Sequence, residues 1–252
     1  MIEILILSLI QGITEFIPIS SSSHLILISD YTNFENKGLS IDVSLHIGSF
    51  LAVITFFQKE ILNFMKNKIL FFKVFLSSLP VMVIGFLIAK TNIIYNLRGI
   101  EIIGWTTLIF GLLLLVSDKF KLERNLKNDL SYKYAFIIGV IQIFSLIPGV
   151  SRSGIVITAA RFLHFNRIDA AKISFLLSIP TLAGVSIFGI SNHIDSQDLS
   201  FSLYNIFSVI LSFIFSLLSI KYFLRFIKDF SLKIFVIYRV FLGLIILYFV
   251  YS

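Results

Sequence analysis

Two stretches of this sequence place ionisable and hydroxyl side chains among residues that are otherwise apolar. The first runs Gln11-Gly12-Ile13-Thr14-Glu15-Phe16-Ile17-Pro18-Ile19-Ser20-Ser21-Ser22-Ser23-His24. Gln11 and Glu15 are four apart and share one helix face. An amide oxygen beside a carboxylate could hold a hard divalent cation such as Mg²⁺ or Ca²⁺. Four serines and a histidine follow at the turn, and free hydroxyl and N–H groups beside a helix N-terminus suit an anion. The second stretch is Pro148-Gly149-Val150-Ser151-Arg152-Ser153-Gly154. Gly149 and Gly154 flank a compact turn that offers backbone N–H groups to phosphate oxygens. Arg152 adds a fixed, forked cation whose geometry matches phosphate. Its anion is either Glu15 or a substrate phosphate.

An acid, an imidazole, hydroxyls, an arginine and a metal at one depth are the requirements of phosphoryl transfer: charge neutralisation, in-line positioning, and a group that attacks or moves a proton. His24 is either the nucleophile or a general acid/base that activates water, and the sequence leaves both open. The candidate catalytic groups are Glu15, His24 and Arg152, with the hydroxyls of the first elbow. Ser20, Ser21, Ser151 and Ser153, with Gly149 and Gly154, are the candidate substrate contacts, although each serine has an alternative use as a half-helix cap.

What must position these groups is set by the solvent. The chain is 57% hydrophobic and 14% charged, with a mean hydropathy of +0.96, against about 25% charged residues in a soluble domain. Water cannot solvate such a surface, so lipid must. Apolar runs are long and continuous rather than alternating, which excludes an outer-membrane barrel and leaves an all-α bundle. Cysteine is absent, which removes disulfides, thiolate zinc sites and a cysteine nucleophile. Residues Met1 to Ile10 carry no basic leader or small-residue cleavage site and read as membrane-embedded chain. A formal charge of +7 fits loops held against anionic headgroups better than nucleic acid.

Segments 41–57, 69–90, 99–117, 169–190, 203–220 and 232–250 are the six expected transmembrane helices, each near the roughly 20 residues a bilayer requires. Stretches 2–29 and 134–163 are each broken by a proline and polar residues. Such backbone survives at membrane depth only when buried in protein or lining a wet cavity, so both are expected to be re-entrant helical hairpins. With both re-entrant, loops 58–68, 118–133, 164–168 and 221–231 share one side and, with their flanking helix ends, carry sixteen Lys and Arg. The other side carries Lys37, Lys90 and Arg98. The basic side is then cytoplasmic. The sequence echoes itself, with Gln11…Phe16-Ile17-Pro18 against Gln142…Leu146-Ile147-Pro148. Inverted repeats over about 1–117 and 118–252 within a single membrane domain are therefore expected, their elbows meeting near the midplane.

The two elbow motifs resemble the signatures of the undecaprenyl-diphosphate phosphatase family, also called bacitracin-resistance proteins. The resemblance covers nearly the whole chain in order and spacing, including Asp42-Val43-Ser44-Leu45-His46-Ile47-Gly48-Ser49 and Ile237-Tyr238-Arg239. It implies a cation-dependent hydrolase at the outer face of the bacterial inner membrane. There the family converts undecaprenyl diphosphate to the monophosphate carrier needed for cell-wall peptidoglycan synthesis. It also implies that Glu15 is the catalytic or metal-associated carboxylate, His24 the family's histidine, Ser21 an active-site hydroxyl and Arg152 the diphosphate clamp. Gln11 stands where many members carry Glu, which shifts base or metal duty toward Glu15. Ser22-Ser23 stands in place of the usual Thr-Gly.

Expected partners are the polyprenyl diphosphate and membrane lipids, with a homo-oligomer left open and no nucleic acid. A rival class is a transporter or flippase of an anionic lipid, because broken helices and inverted repeats are also carrier features. His46 is a candidate for the cavity wall. His164 and His193 read as solvated loop residues, the Lys119–Lys133 loop as a headgroup anchor, and Arg239 as paired with a buried carbonyl or snorkelling.

Overall fold

The computed structural model describes residues 1–32, 38–66, 68–91, 97–120, 123–195 and 203–252. Among them the chain is built from helices: α1 (Ile2–Thr14), α2 (Ser21–Tyr31), α3 (Leu39–Phe56), α4 (Gln58–Lys66), α5 (Lys68–Ala89) and α6 (Ile100–Asp118). They are followed by α7 (Leu126–Asp129), α8 (Tyr132–Gln142), α9 (Arg152–Phe162), α10 (Arg167–Asp195), α11 (Leu203–Asp229) and α12 (Lys233–Tyr251). Helices α5, α6, α10, α11 and α12 are long and apolar enough to cross a bilayer. Helix α3, with 18 residues, is about 27 Å long at 1.5 Å per residue and is the short sixth member of the set. The chain is a multi-pass, all-α membrane protein.

Helices α1 and α2, of 13 and 11 residues, are each too short to cross, and they pack against one another. The same holds for α8 and α9, both of 11 residues. Local chemistry explains both breaks. Pro18 and Pro148 lack the N–H that a continuing helix needs. Ile147, just before Pro148, is pushed to extended backbone (φ −88°, ψ 123°), as the proline ring requires. Both return helices start from a serine in left-handed backbone, Ser20 at φ 75° and Ser151 at φ 71°. Each costs of order 1–3 kcal/mol and persists only where the surroundings hold it.

Small residues let the long helices approach. On α11, Ser212 Oγ donates to the Leu45 carbonyl at 2.7 Å and Ser219 Oγ to that of Ile13 at 3.0 Å, while Ser216 meets Ser49 at 3.0 Å. A Cβ on Gly48 would strike the Val209 carbonyl and lie 2.8 Å from the Ser212 Cβ. This close, hydrogen-bonded seam is how helices associate where lipid removes the hydrophobic drive. Phe16, Phe57, Phe175 and Phe223 form the aromatic centre of the core. Phe71, Phe72, Phe75, Phe86 and Phe249 face outward, as the lipid side demands.

The basic end is closed by Asp118. Arg167 grips it with two bonds of 2.7 and 3.0 Å, Arg161 lies at 3.5 Å, and the Leu232 N–H donates to it at 3.2 Å. The carboxylate thus ties α6 to α9, α10 and α12. His164 is not a solvated loop residue: it is half-buried at φ 69°, edge-on to Phe120, and its carbonyl accepts from the N–H groups of Glu123 and Arg124. The tight turn between α9 and α10 pulls it inward. Arg124 likewise serves the protein rather than headgroups, donating to the Leu163 carbonyl at 2.7 Å and stacking over Tyr134. Lys119, Lys127 and Lys133 remain exposed. The readings of His193, Lys37, Lys66 and Lys121 fall on side chains outside the described residues.

Candidate active site

The two elbows meet. Glu15, at the end of α1, is buried, and its Oε1 accepts from Arg152 Nη2 at 3.0 Å. Its Oε2 accepts from Ser21 Oγ at 2.6 Å and from Gln11 Nε2 at 3.0 Å. One carboxylate therefore joins α1, the start of α2 and the start of α9. A second contact runs beside it, with Ser153 Oγ donating to the Ile17 carbonyl at 2.9 Å. Charges at this depth are costly unless paired, and the pair is charge-assisted at short range.

Arg152 is not used up by Glu15. Its Nη1 donates to the Ser174 carbonyl at 3.1 Å, and its buried Nε has no partner. A guanidinium has five N–H donors, so donors remain for an incoming anion. Its backbone adds more, since the first-turn N–H groups of α9 have no acceptor within the helix.

Glycine is required at two places. Gly149 has φ +91°, and a Cβ there would strike Thr106 Oγ1 and lie 2.8 Å from the Ile103 carbonyl. A Cβ on Gly154 would lie 2.8 Å from Arg239 Nη1. Both glycines keep the elbow thin enough to pack.

Other expected contacts are engaged within the protein. Ser151 Oγ caps α9 by accepting from the Gly154 N–H at 3.1 Å and lies 3.2 Å from Ser153 Oγ. Ser20 Oγ shares hydrogen bonds with Ser23 and Ser22. Of the four elbow serines, Ser21 is the one bonded to the central carboxylate.

His24 stands one turn along α2, bonded to neither Glu15 nor Arg152. Its Nδ1 lies 2.7 Å from the Ser20 carbonyl, and its Nε2 lies 2.5 Å from the Tyr238 hydroxyl. A carbonyl only accepts, so Nδ1 carries a proton; in the neutral imidazole Nε2 then holds the lone pair and accepts from Tyr238. Tyr238 was not singled out for chemistry in the sequence. It lies 214 residues away, and its only signal there is its place in Ile237-Tyr238-Arg239.

Arg239 is fully buried and donates to four carbonyls: Thr107 at 3.2 Å, Pro18 at 3.2 Å, Gly149 at 2.8 Å and Val150 at 3.1 Å. Of the two expectations for it, carbonyl pairing is what the structure shows. It ties both elbows to α6. His46 does reach the site, with Nδ1 3.0 Å from Gln11 Nε2.

The donors fit a divalent cation in one way. Among the described residues no three His, Cys, Asp or Glu side chains gather into a metal cage. Gln11 Oε1 is nevertheless a buried acceptor with no partner, and a half-turn of that amide brings it to the Glu15 side. One carboxylate and one amide oxygen match an ion that takes its other ligands from water and substrate phosphates.

A multi-pass membrane protein whose broken hairpins close one charged site is the class that this geometry defines. Residues 4–245 match the family described as Bacitracin resistance protein BacA. The chain is 44% identical over 252 residues to the undecaprenyl-diphosphatase of Pelagibacter ubique (strain HTCC1062), covering 100% of this chain and 98% of that one. It is 38% identical to the undecaprenyl-diphosphatase of Roseobacter denitrificans (strain ATCC 33942 / OCh 114), covering 99% and 98%. To that of Jannaschia sp. (strain CCS1) it is also 38% identical, covering 98% and 97%. The chain belongs to the BacA bacitracin-resistance family.

Proposed function

We propose that this chain hydrolyses undecaprenyl diphosphate to undecaprenyl phosphate and inorganic phosphate, with water as the second reactant. The relatives' names support that reading. The observation that carries the chemistry is the Glu15–Arg152 pair at 3.0 Å, which closes one anion site from two elbows. The terminal phosphate takes the place of the Glu15 carboxylate on Arg152, whose forked donors suit it better. Glu15, freed from the arginine and steadied by Ser21, then faces the reacting phosphate. His24 reacts through Nε2 once the Tyr238 hydroxyl releases it, as nucleophile or as the group that takes a proton from water, because Ser20 holds its other nitrogen. A divalent cation would be held by Glu15 and Gln11 Oε1, and would neutralise charge on the phosphate oxygens.

The lysine-rich end lies in the cytoplasm of the bacterial inner membrane, by the positive-inside rule, and the site serves the periplasmic side. The product returns to cell-wall synthesis as the lipid carrier. Halves 1–117 and 118–252 are inverted repeats; the matching left-handed serines at the two elbows support this.

The test is phosphate release from a long-chain polyprenyl diphosphate by purified protein in detergent, with Mg²⁺, Ca²⁺ or chelator. Metal-dependent release is expected. Its absence with every metal, together with lipid transfer between leaflets by the same protein in liposomes, would replace the phosphatase with the flippase.

A further inference from the structure

At the basic end, away from the elbows, a cavity of about 590 Å³ opens between the starts of α5 and α10, the end of α3 and the short helix α7. Lys73, Lys127 and Lys172 line it, one from each of α5, α7 and α10. Lys73 and Lys172 are half-buried. Every ion pair among the described residues involves Arg152, Arg161 or Arg167, so none of these lysines has a carboxylate partner within 4.0 Å. Two acids share the wall. Asp169 is already engaged, its Oδ2 accepting from the Leu126 N–H at 3.1 Å and from Asn166 Nδ2 at 2.8 Å. Glu60 leaves the lysines in excess. Beside Asn125, the rest of the wall is apolar, with Phe57, Leu70 and Leu176 among its residues.

We propose that this cavity binds the phosphate headgroup of an anionic glycerophospholipid from the leaflet at this end, the cytoplasmic one by charge bias. Three features select that occupant. Ammonium groups without a carboxylate partner line it from three elements, Lys73 with its ammonium 5.5 Å from the Tyr132 ring centroid, and basic pockets between membrane helices take anionic headgroups. Lysines supply mobile point charges that accommodate a phosphodiester, rather than the fixed forks that grip one phosphate geometry. The apolar wall is continuous with membrane-spanning helices, so it receives the glycerol and upper acyl carbons, which a soluble anion lacks. None of the lining residues belongs to the elbow site.

The test uses the full chain in phosphatidylcholine nanodiscs and titrates a fluorescent phosphatidylglycerol. The wild type is expected to bind it saturably, with K73Q/K172Q about tenfold weaker. Unlabelled phosphatidylglycerol should compete, and inorganic phosphate in large excess should not. Equal binding by K73Q/K172Q would overturn the site. Displacement by inorganic phosphate alone would make it a soluble-anion site and overturn the lipid reading. Should K73Q/K172Q fail to fold, K127Q, at an exposed lysine, decides: weakened binding supports the site, and unchanged binding removes it.

Discussion

Glu15 and Arg152 lie 137 residues apart in the chain and 3.0 Å apart in space, and each comes from a helix too short to cross a bilayer. The contact unites two half-helix elbows into one site. On the proposed mechanism, an incoming phosphate exchanges with the carboxylate on the guanidinium, whose unused donors help to receive it.

That exchange predicts how the two residues fail. Arg152→Lys keeps the charge but loses the fork, and should lower kcat/KM for phosphate release about 100-fold, the scale of losing one preorganised donor. Glu15→Gln should abolish release: its amide keeps one oxygen for Arg152 and turns its NH₂ to the Ser21 hydroxyl, which then accepts, and thermal unfolding checks that the variant folds. Near-normal turnover by Glu15→Gln would remove the carboxylate from the mechanism.

Tyr238→Phe removes only the hydroxyl that donates to His24 Nε2. If His24 reacts through that nitrogen, a lone pair no longer held by the hydroxyl should keep turnover at or above that of the wild type, with KM little changed. Steady-state kinetics separate the two effects. A rise in KM alone would instead place Tyr238 on the path of the lipid.

Gly149→Ala should fail for steric reasons. The backbone there is at φ +91°, and the added carbon collides with Thr106, so the elbow must shift. We expect a destabilisation of about 2–4 kcal/mol, in the range set by strain and overpacking, together with loss of activity. Thermal unfolding in detergent and phosphate release measure the two losses on one preparation.

Asp118→Asn tests the basic end separately from the chemistry. It removes the charge that Arg161 and Arg167 share, leaving a buried guanidinium uncompensated, which costs about 3–5 kcal/mol. The unfolding midpoint should drop markedly, while activity at a permissive temperature stays close to that of the wild type. A large loss of activity in folded protein would mean that this end couples to the elbows.

Much of this site was legible in the sequence because lipid makes polar residues conspicuous. Glu15 and Arg152 stand in apolar surroundings, and Pro18 and Pro148 mark where the helices must stop. The two elbow motifs supplied the rest. What could not be read follows from the nature of the partners. The acceptors of Arg239 are backbone carbonyls, which every residue possesses and no sequence pattern marks. Tyr238 meets His24 only once the last helix is folded against the rest, 214 residues along the chain. The left-handed turns at Ser20 and Ser151 fell on serines where turn chemistry favours glycine or asparagine. The hydroxyls of Ser151 and Ser153 looked available to substrate, yet one caps a helix and the other joins the elbows. His164 looked like a loop residue because a tight turn that packs inward has the same composition as one that faces water.

Arg239 has a consequence for how the protein wears out. In many enzymes the working segments open locally well before the body of the molecule unfolds. Here one guanidinium holds carbonyls of both elbows and of α6, so the segments that do the chemistry are fastened to the spanning helices around them. Heat inactivation and global unfolding therefore become one event, and the activity surviving a heat pulse should equal the fraction of molecules still folded.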